Sequence, residues 1–545
     1  MLNEKTLRAK EIFIIIACIM LLQCLVLLYW QGQRGNLAID ELLSFQSAGD
    51  YLSDSHYYFV EDPSWKYGEW LRTEDWIDRL KVSESESMLN LAGAERIRIL
   101  VHKRPFFGLL NVIMADVGYE ASFYQYAWRV LYLNILFFLF AELFIAYCVR
   151  ELTGSEGITG LCVIMFGFSG IIMSMCEYVR FYMLTILLLL IVICCHLKMW
   201  KEKKIFRFLW WDMIALACAY FALLHSELML ITCGSFFGIF FAGLLCCRRF
   251  SQAAVYSLPL LCSTYGYVYR KTRLLDVVMH PGNYAKPDSH GTALVTYNLL
   301  TITPERAWDC LKKNIDVFSN MWFGCRPLML AFTALLITGS FIIITKRKGE
   351  KKIKKDRDNC IFVWMLGMTA FISILFNILT NLSAERYDSF IITILMIVFW
   401  YCISRLKYVF DARKFMVLIA LLVLAGAVIS QRPESLSYLS IREQPTKYIY
   451  EVYNDTDSIL FNGGNSNAVY DSIIHTGRSA RFMAIEPGNE KDFKKIDDLP
   501  DTFVAFCVSG GGHDLMAEAL KGTKYVPIYI GGTWKNEIYL CTKKG

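Results

Sequence analysis

Eleven apolar blocks constrain this chain more than any other feature; they lie at 12–30, 130–149, 158–175, 181–198, 210–224, 228–246, 253–270, 326–345, 360–380, 387–404 and 415–430. Most approach the roughly twenty residues needed to cross a hydrocarbon core of about 30 Å. Backbone inside lipid must satisfy its own hydrogen bonds, and a helix does so within one segment. The sequence therefore predicts a polytopic α-helical membrane protein. Composition agrees, since 55% of the 545 residues are hydrophobic and 19% are charged, too apolar for an ordinary soluble globule. The first block is longer than a signal h-region and no small-x-small cleavage site follows it, so it reads as a retained anchor.

Charge sets the orientation. Lys5, Arg8 and Lys10 precede the first block, and Lys198, Lys201, Lys203, Lys204 and Arg207 follow the fourth. Arg248 and Arg249, the run at 346–357, and then Arg405, Lys407 and Arg413 occupy later loops. These clusters fall in alternate loops, so they and the N-terminus are expected in the cytoplasm of a plasma-membrane protein. An odd number of spans then puts the C-terminus outside. The net charge of +6 is explained by topology and calls for no nucleic acid. Most of the 18 cysteines lie inside the blocks, and none shows metal-ligand spacing. Cys507 and Cys541 sit in strand-like apolar runs and read as buried free thiols.

Two domains are expected. Residues 1–430 form the membrane part, with a long first outer loop at 31–128. Residues 431–545 alternate short apolar strands (Ser458–Phe461, Thr502–Val508, Tyr525–Ile530, Glu537–Cys541) with helical stretches, and read as a small extracytoplasmic α/β domain. Its glycine-rich pieces FNGGNSN and VSGGGHD match no complete phosphate-binding pattern and read as turns and helix caps.

The polar candidates gather on the outer face. Asp40 and Glu41 open an amphipathic helix bearing Leu42 and Phe45. Acidic residues in a first turn favour the helix dipole. Two adjacent carboxylates point about 100° apart, however, and cannot serve one partner. Glu177, Tyr178, Arg180 and Tyr182 stand at the start of the fourth span, and Glu385, Arg386 and Tyr387 repeat that arrangement later. Such groups are either anchors at the bilayer boundary or holders of phosphate oxygens. His102 and Arg104 precede a helix at 105–117, while His225 with Glu227 is too small a set for a metal site. His280 and His290 fall in the outer loop 271–325.

The order of AIDELLSFQSAGDY, RPFFGLLNVIMADV, EYVRFYMLTILLLL and AERYDSFIITILM resembles the bacterial GT-C glycosyltransferases, family 39 type, which are related to protein mannosyltransferases and the aminoarabinose transferase of lipid A. The resemblance covers about residues 10–430. It implies transfer of a sugar from a polyprenyl-phosphate donor at the lipid bilayer to a glycan, lipid or protein acceptor hydroxyl, with inversion. Asp40 would be the general base, with Glu41 supporting it. Arg180, Arg386, Tyr182, Tyr387 and Arg104 would hold the donor phosphate. Glu177, Glu385, His225 and Glu227 would have supporting roles. A divalent metal ion stays open, with Glu41 and Glu177 as candidate ligands. The chain departs from the family in reading His102-Lys-Arg-Pro before the 105–117 helix, and in carrying Glu177 where some relatives have Asp. A lipid-linked sugar transporter or a polysaccharide polymerase are the alternatives; a transporter would use polar residues within spans, such as Asn134, Glu142 and Asn377.

Overall fold

The computed structural model describes residues 2–35, 37–52, 62, 64–226, 228–270, 298, 301–346, 357–380, 385–406, 410–436, 446–462, 464, 466–488, 499–533 and 535–544, with 2–13, 262–270, 339–346, Glu385 and a few others described by backbone alone. His280, His290, Glu227, the side chain of Glu385 and the basic run at 347–356 lie outside the described residues. The chain divides into two compact units. One comprises Met1–Leu27, Asn134–Cys176 and Phe181–Ser437; the other comprises Leu28–Leu133, Glu177–Arg180 and Tyr438–Gly545.

The first unit is helical. Among the described residues of the whole chain, eight helices are long and apolar enough to cross a membrane, or ten if each of two bent helix pairs is one span. The expected count was eleven. The difference is the block at 253–270, which forms the helix Phe250–Arg270 and contains Pro259. Its side chains are described only as far as Leu261.

One bent pair, Glu156–Gly167 and Gly170–Glu177, turns by 54°. A Cβ on residue 167 would meet the ends of the Gln23 and Glu142 side chains, which pack closely against the glycine there. Side-chain amides take up carbonyls near the break and at the end of the pair. Gln23 Nε2 donates to the Val163 carbonyl at 3.0 Å, Gln431 Nε2 to Phe168 at 2.9 Å, and Asn134 Nδ2 to Cys176 at 2.9 Å. Helix interruptions within apolar surroundings need such partners.

The second unit carries a sheet of six strands in the order β1-β3-β2-β4-β6-β5. They are β1 Leu71–Arg72, β2 Ser458–Phe461, β3 Arg481–Ile485, β4 Thr502–Val508, β5 Tyr525–Gly532 and β6 Asn536–Lys543. β2 pairs in parallel with both β3 and β4, while the other pairings are antiparallel. The central strands are almost continuously apolar because both faces are covered. β5 is an edge strand and carries Pro527, which central strands exclude. The tail strands recognised in the sequence are present, and Cys507 and Cys541 are buried and unbridged.

The sheet is not confined to the tail, since β1 comes from the first long loop. Arg478 adds electrostatic links between tail and loop. Its guanidinium reaches Glu120 at 2.6 Å, Asp78 at 3.0 Å and Glu74 at 3.3 Å. The helix Ser466–Ile473 also packs on the helix Ile39–Gly49, where Tyr470 donates to Gln46 Oε1 at 2.8 Å.

Candidate functional site

The helix Ile39–Gly49 starts without a side-chain cap at Ala38; instead the Glu41 carboxylate accepts from the Ala38 N–H at 2.7 Å. This satisfies one of the orphan donors at a helix start. Leu42 and Phe45 are fully buried, and Phe45 packs at a tilt against Phe123 and Tyr126 at ring separations of 5.4 and 5.9 Å. That packing fixes the rotation of the helix and therefore the directions of Asp40 and Glu41.

Glu41 points inward and is fully buried. One carboxylate oxygen also accepts from Arg34, and the other accepts from the Val179 N–H at 2.8 Å. Arg34 is itself buried and donates a second bond to the Glu177 carbonyl at 3.1 Å. Burial by itself would lower the Arg34 pKa, but the charge and hydrogen bond of Glu41, together with Glu177 and Tyr124, outweigh it and the pKa rises. Arg34 thus serves two acceptors from a buried position, a geometry suited to a planar, forked guanidinium.

Asp40 points elsewhere and keeps 19% of its side chain exposed. Its Oδ2 accepts from the Tyr178 hydroxyl at 3.0 Å, and its Oδ1 lies 3.3 Å from Arg180 Nη2. Arg180 Nη1 donates to Ser44 Oγ at 3.3 Å, and Ser44 Oγ donates to the Asp40 carbonyl at 2.9 Å. Tyr178 and Arg180 come from a tight turn closed by the Arg180 N–H on the Tyr178 carbonyl at 2.7 Å. The site is thus a partly open carboxylate, oriented by a phenol and a cation, beside a buried ion pair. Such a carboxylate can accept a proton, and such a cation can attract an anionic group.

The structure brings Asp40, Glu41, Glu177 and Arg180 together within one unit. Arg104 is in the same unit, ahead of the helix Pro105–Val117, with its guanidinium 5.9 Å from the Phe107 ring centre. Tyr182, His225, Arg386 and Tyr387 belong to the helical unit. Tyr182 packs on Phe181 and Phe390 at 4.8 and 6.3 Å; His225 donates through Nδ1 to the Phe221 carbonyl, 2.7 Å away, and lies against Phe181. Arg386 lies over the Tyr387 ring at 5.2 Å.

As a metal ligand, Glu41 does not fit, because both oxygens already serve protein donors. Glu177 is buried, and its carboxylate oxygens have no hydrogen-bond partner among the described residues. No group of three metal-binding side chains is assembled among the described residues. Sequence reasoning missed Arg34 and did not single out Tyr178. A lone arginine after a span reads as a boundary anchor, and only the folded chain shows it turned inward.

The fold matches that of ArnT from Cupriavidus metallidurans in the apo state, with a TM-score of 0.50, 11% identity and coverage of 98% of each chain. A second structure of ArnT from the same organism, bound to undecaprenyl phosphate, has a TM-score of 0.49, 11% identity, and coverage of 96% of this chain and 97% of that one. No family model and no curated protein matches the sequence. The chain therefore has a GT-C type fold of the ArnT kind.

Proposed function

We propose that the protein is a membrane glycosyltransferase that moves a sugar from a polyprenyl-phosphate donor to an acceptor hydroxyl, with inversion. The observation that carries this reading is the Asp40 carboxylate, partly exposed and held by Tyr178 and Arg180. The acceptor oxygen attacks the anomeric carbon and the bond from that carbon to the phosphate oxygen breaks. Asp40 takes the acceptor proton, and the polyprenyl phosphate leaves with the bonding pair. A carboxylate is a weak base for an alcohol, so proton transfer is late and concerted with attack; such catalysis contributes roughly 10²–10⁴-fold.

The leaving group is already stable as an anion and needs no acid, unlike the leaving group in glycoside hydrolysis. Arg180 is the cation that offsets its charge, and Arg104 of the same unit is a further candidate for holding the donor phosphate. The positive-inside pattern supports an outer-face reaction with the N-terminus in the cytoplasm and the C-terminus outside. The rival transporter reading loses support because two of its polar span residues have structural partners. Asn134 bonds the Cys176 carbonyl, and Asn377 donates to Asp388 at 3.1 Å.

The test uses purified protein with radiolabelled polyprenyl-phosphate sugars and measures release of the lipid phosphate. Wild type should release it and Asp40→Asn should not, while remaining folded in the membrane. Near-normal turnover by Asp40→Asn would remove Asp40 from the base role, and wild-type inactivity with every common donor would sink the transferase reading.

A further inference from the structure

We infer that Arg34 is a positioning residue that holds the Tyr178–Arg180 turn over Asp40, acting through Glu41. The catalytic part of this inference rests on the proposed transferase reading. Arg34 lies in the short link between the helices Leu2–Gly32 and Ile39–Gly49. It spans two acceptors, the Glu41 carboxylate and the Glu177 carbonyl. Glu41 then holds the Val179 N–H at 2.8 Å. Val179 sits between the two residues that reach Asp40. Three chain segments therefore meet at one buried ion pair: the link, the start of the helix, and the turn at 177–180.

The turn that carries both donors on Asp40 is closed by the bond from the Arg180 N–H to the Tyr178 carbonyl, and the Glu41 carboxylate holds its middle residue at the Val179 N–H. Loosening the Val179 anchor lets both drift, and misplacement by about 1 Å costs roughly 10²-fold in rate. Lysine does not replace the arginine, because one ammonium lacks the planar fork that serves two acceptors. Arg34→Ala alone is an unsafe test, since it leaves Glu41 buried and unpaired. The charge-free double variant Arg34→Met/Glu41→Gln avoids that fault.

The experiment compares wild type, Arg34→Lys and Arg34→Met/Glu41→Gln by steady-state transfer and by hydrogen exchange of peptides covering 176–182. Both variants should keep the wild-type melting midpoint in detergent to within a few degrees. Both should lose roughly 10²-fold in kcat with little change in donor KM. Exchange at the turn should quicken roughly tenfold or more in the double variant, as expected when the charged acceptor of the Val179 N–H becomes a neutral amide that no guanidinium holds in place. A purely structural role predicts lower melting midpoints with normal kcat per folded molecule, and that result would overturn the inference. Unchanged exchange at 176–182 would also overturn it, whether or not the transferase reading holds. If wild type shows no transfer yet exchange at the turn quickens, the anchor stands and the transferase reading fails.

Discussion

Arg180 and Asp40 form an ion pair, Nη2 to Oδ1 at 3.3 Å, although they lie far apart in the sequence. The base of the proposed reaction therefore rests against the cation that would receive the donor's phosphate. In the proposed reaction a donor phosphate would compete for the same guanidinium, and would leave the carboxylate freer to accept a proton.

Arg180→Ala should raise the KM for donor by roughly 10- to 100-fold, the range of a hydrogen bond to a charged group, and raise the acceptor KM far less. Steady-state kinetics with each substrate varied in turn measures this. Equal changes in both constants would count against a phosphate role.

Tyr178→Phe removes only the hydroxyl that meets Asp40 Oδ2 at 3.0 Å. Asp40 keeps contact with solvent, so the loss belongs at the low end for a charged hydrogen bond, about tenfold in kcat. The fold should be unaffected, because the ring stays in place. A kcat equal to wild type would show that the phenol does not orient the base.

Tyr470 on the tail donates to Gln46 on the same helix as Asp40, at 2.8 Å and fully buried. Tyr470→Phe should destabilise the second unit by about 1–3 kcal/mol and slow transfer, although residue 470 is far from Asp40 in sequence. A double-mutant cycle with Gln46→Leu should give a coupling of at least about 0.5 kcal/mol. Strict additivity would break the proposed link between tail and helix.

His475 is buried, and neither ring nitrogen has a hydrogen-bond partner among the described residues. Burial pushes its pKa down from 6.5 to about 3. Between those values the unfolded chain holds a proton that the folded chain refuses, so stability falls as pH drops from about 6.5 towards 3. The slope from this group is about 1.4 kcal/mol per pH unit. Thermal midpoints measured across that window should fall more steeply for wild type than for His475→Phe. Parallel curves would exclude His475 as the cause.

Much of the architecture was legible from local pattern. The helix Pro105–Val117 begins at its proline and has the expected ends, and β2 and β4 match the expected apolar runs residue for residue. β1 was not legible, because a two-residue strand has no periodicity of its own and exists only through pairing with β3. β3 escaped notice because a five-residue apolar run without alternation gives a weak signal. The candidate site was only partly legible. Asp40, Glu41, Glu177 and Arg180 stand out by charge at the membrane boundary, but their partners do not.

By itself, the sequence determined what depends on near neighbours: which segments are apolar enough to span, where helices begin, and that Asp40 and Glu41 diverge on one helix. Only the tertiary structure decided which of the two carboxylates is buried against Arg34 and which is left partly open beside Arg180. The physical reason is range. Helical period and hydropathy act over a few residues, whereas the bonds that distinguish Asp40 from Glu41 reach across 138 positions to Tyr178 and Val179. Those partners meet only when the turn at 177–180 is folded against the helix Ile39–Gly49.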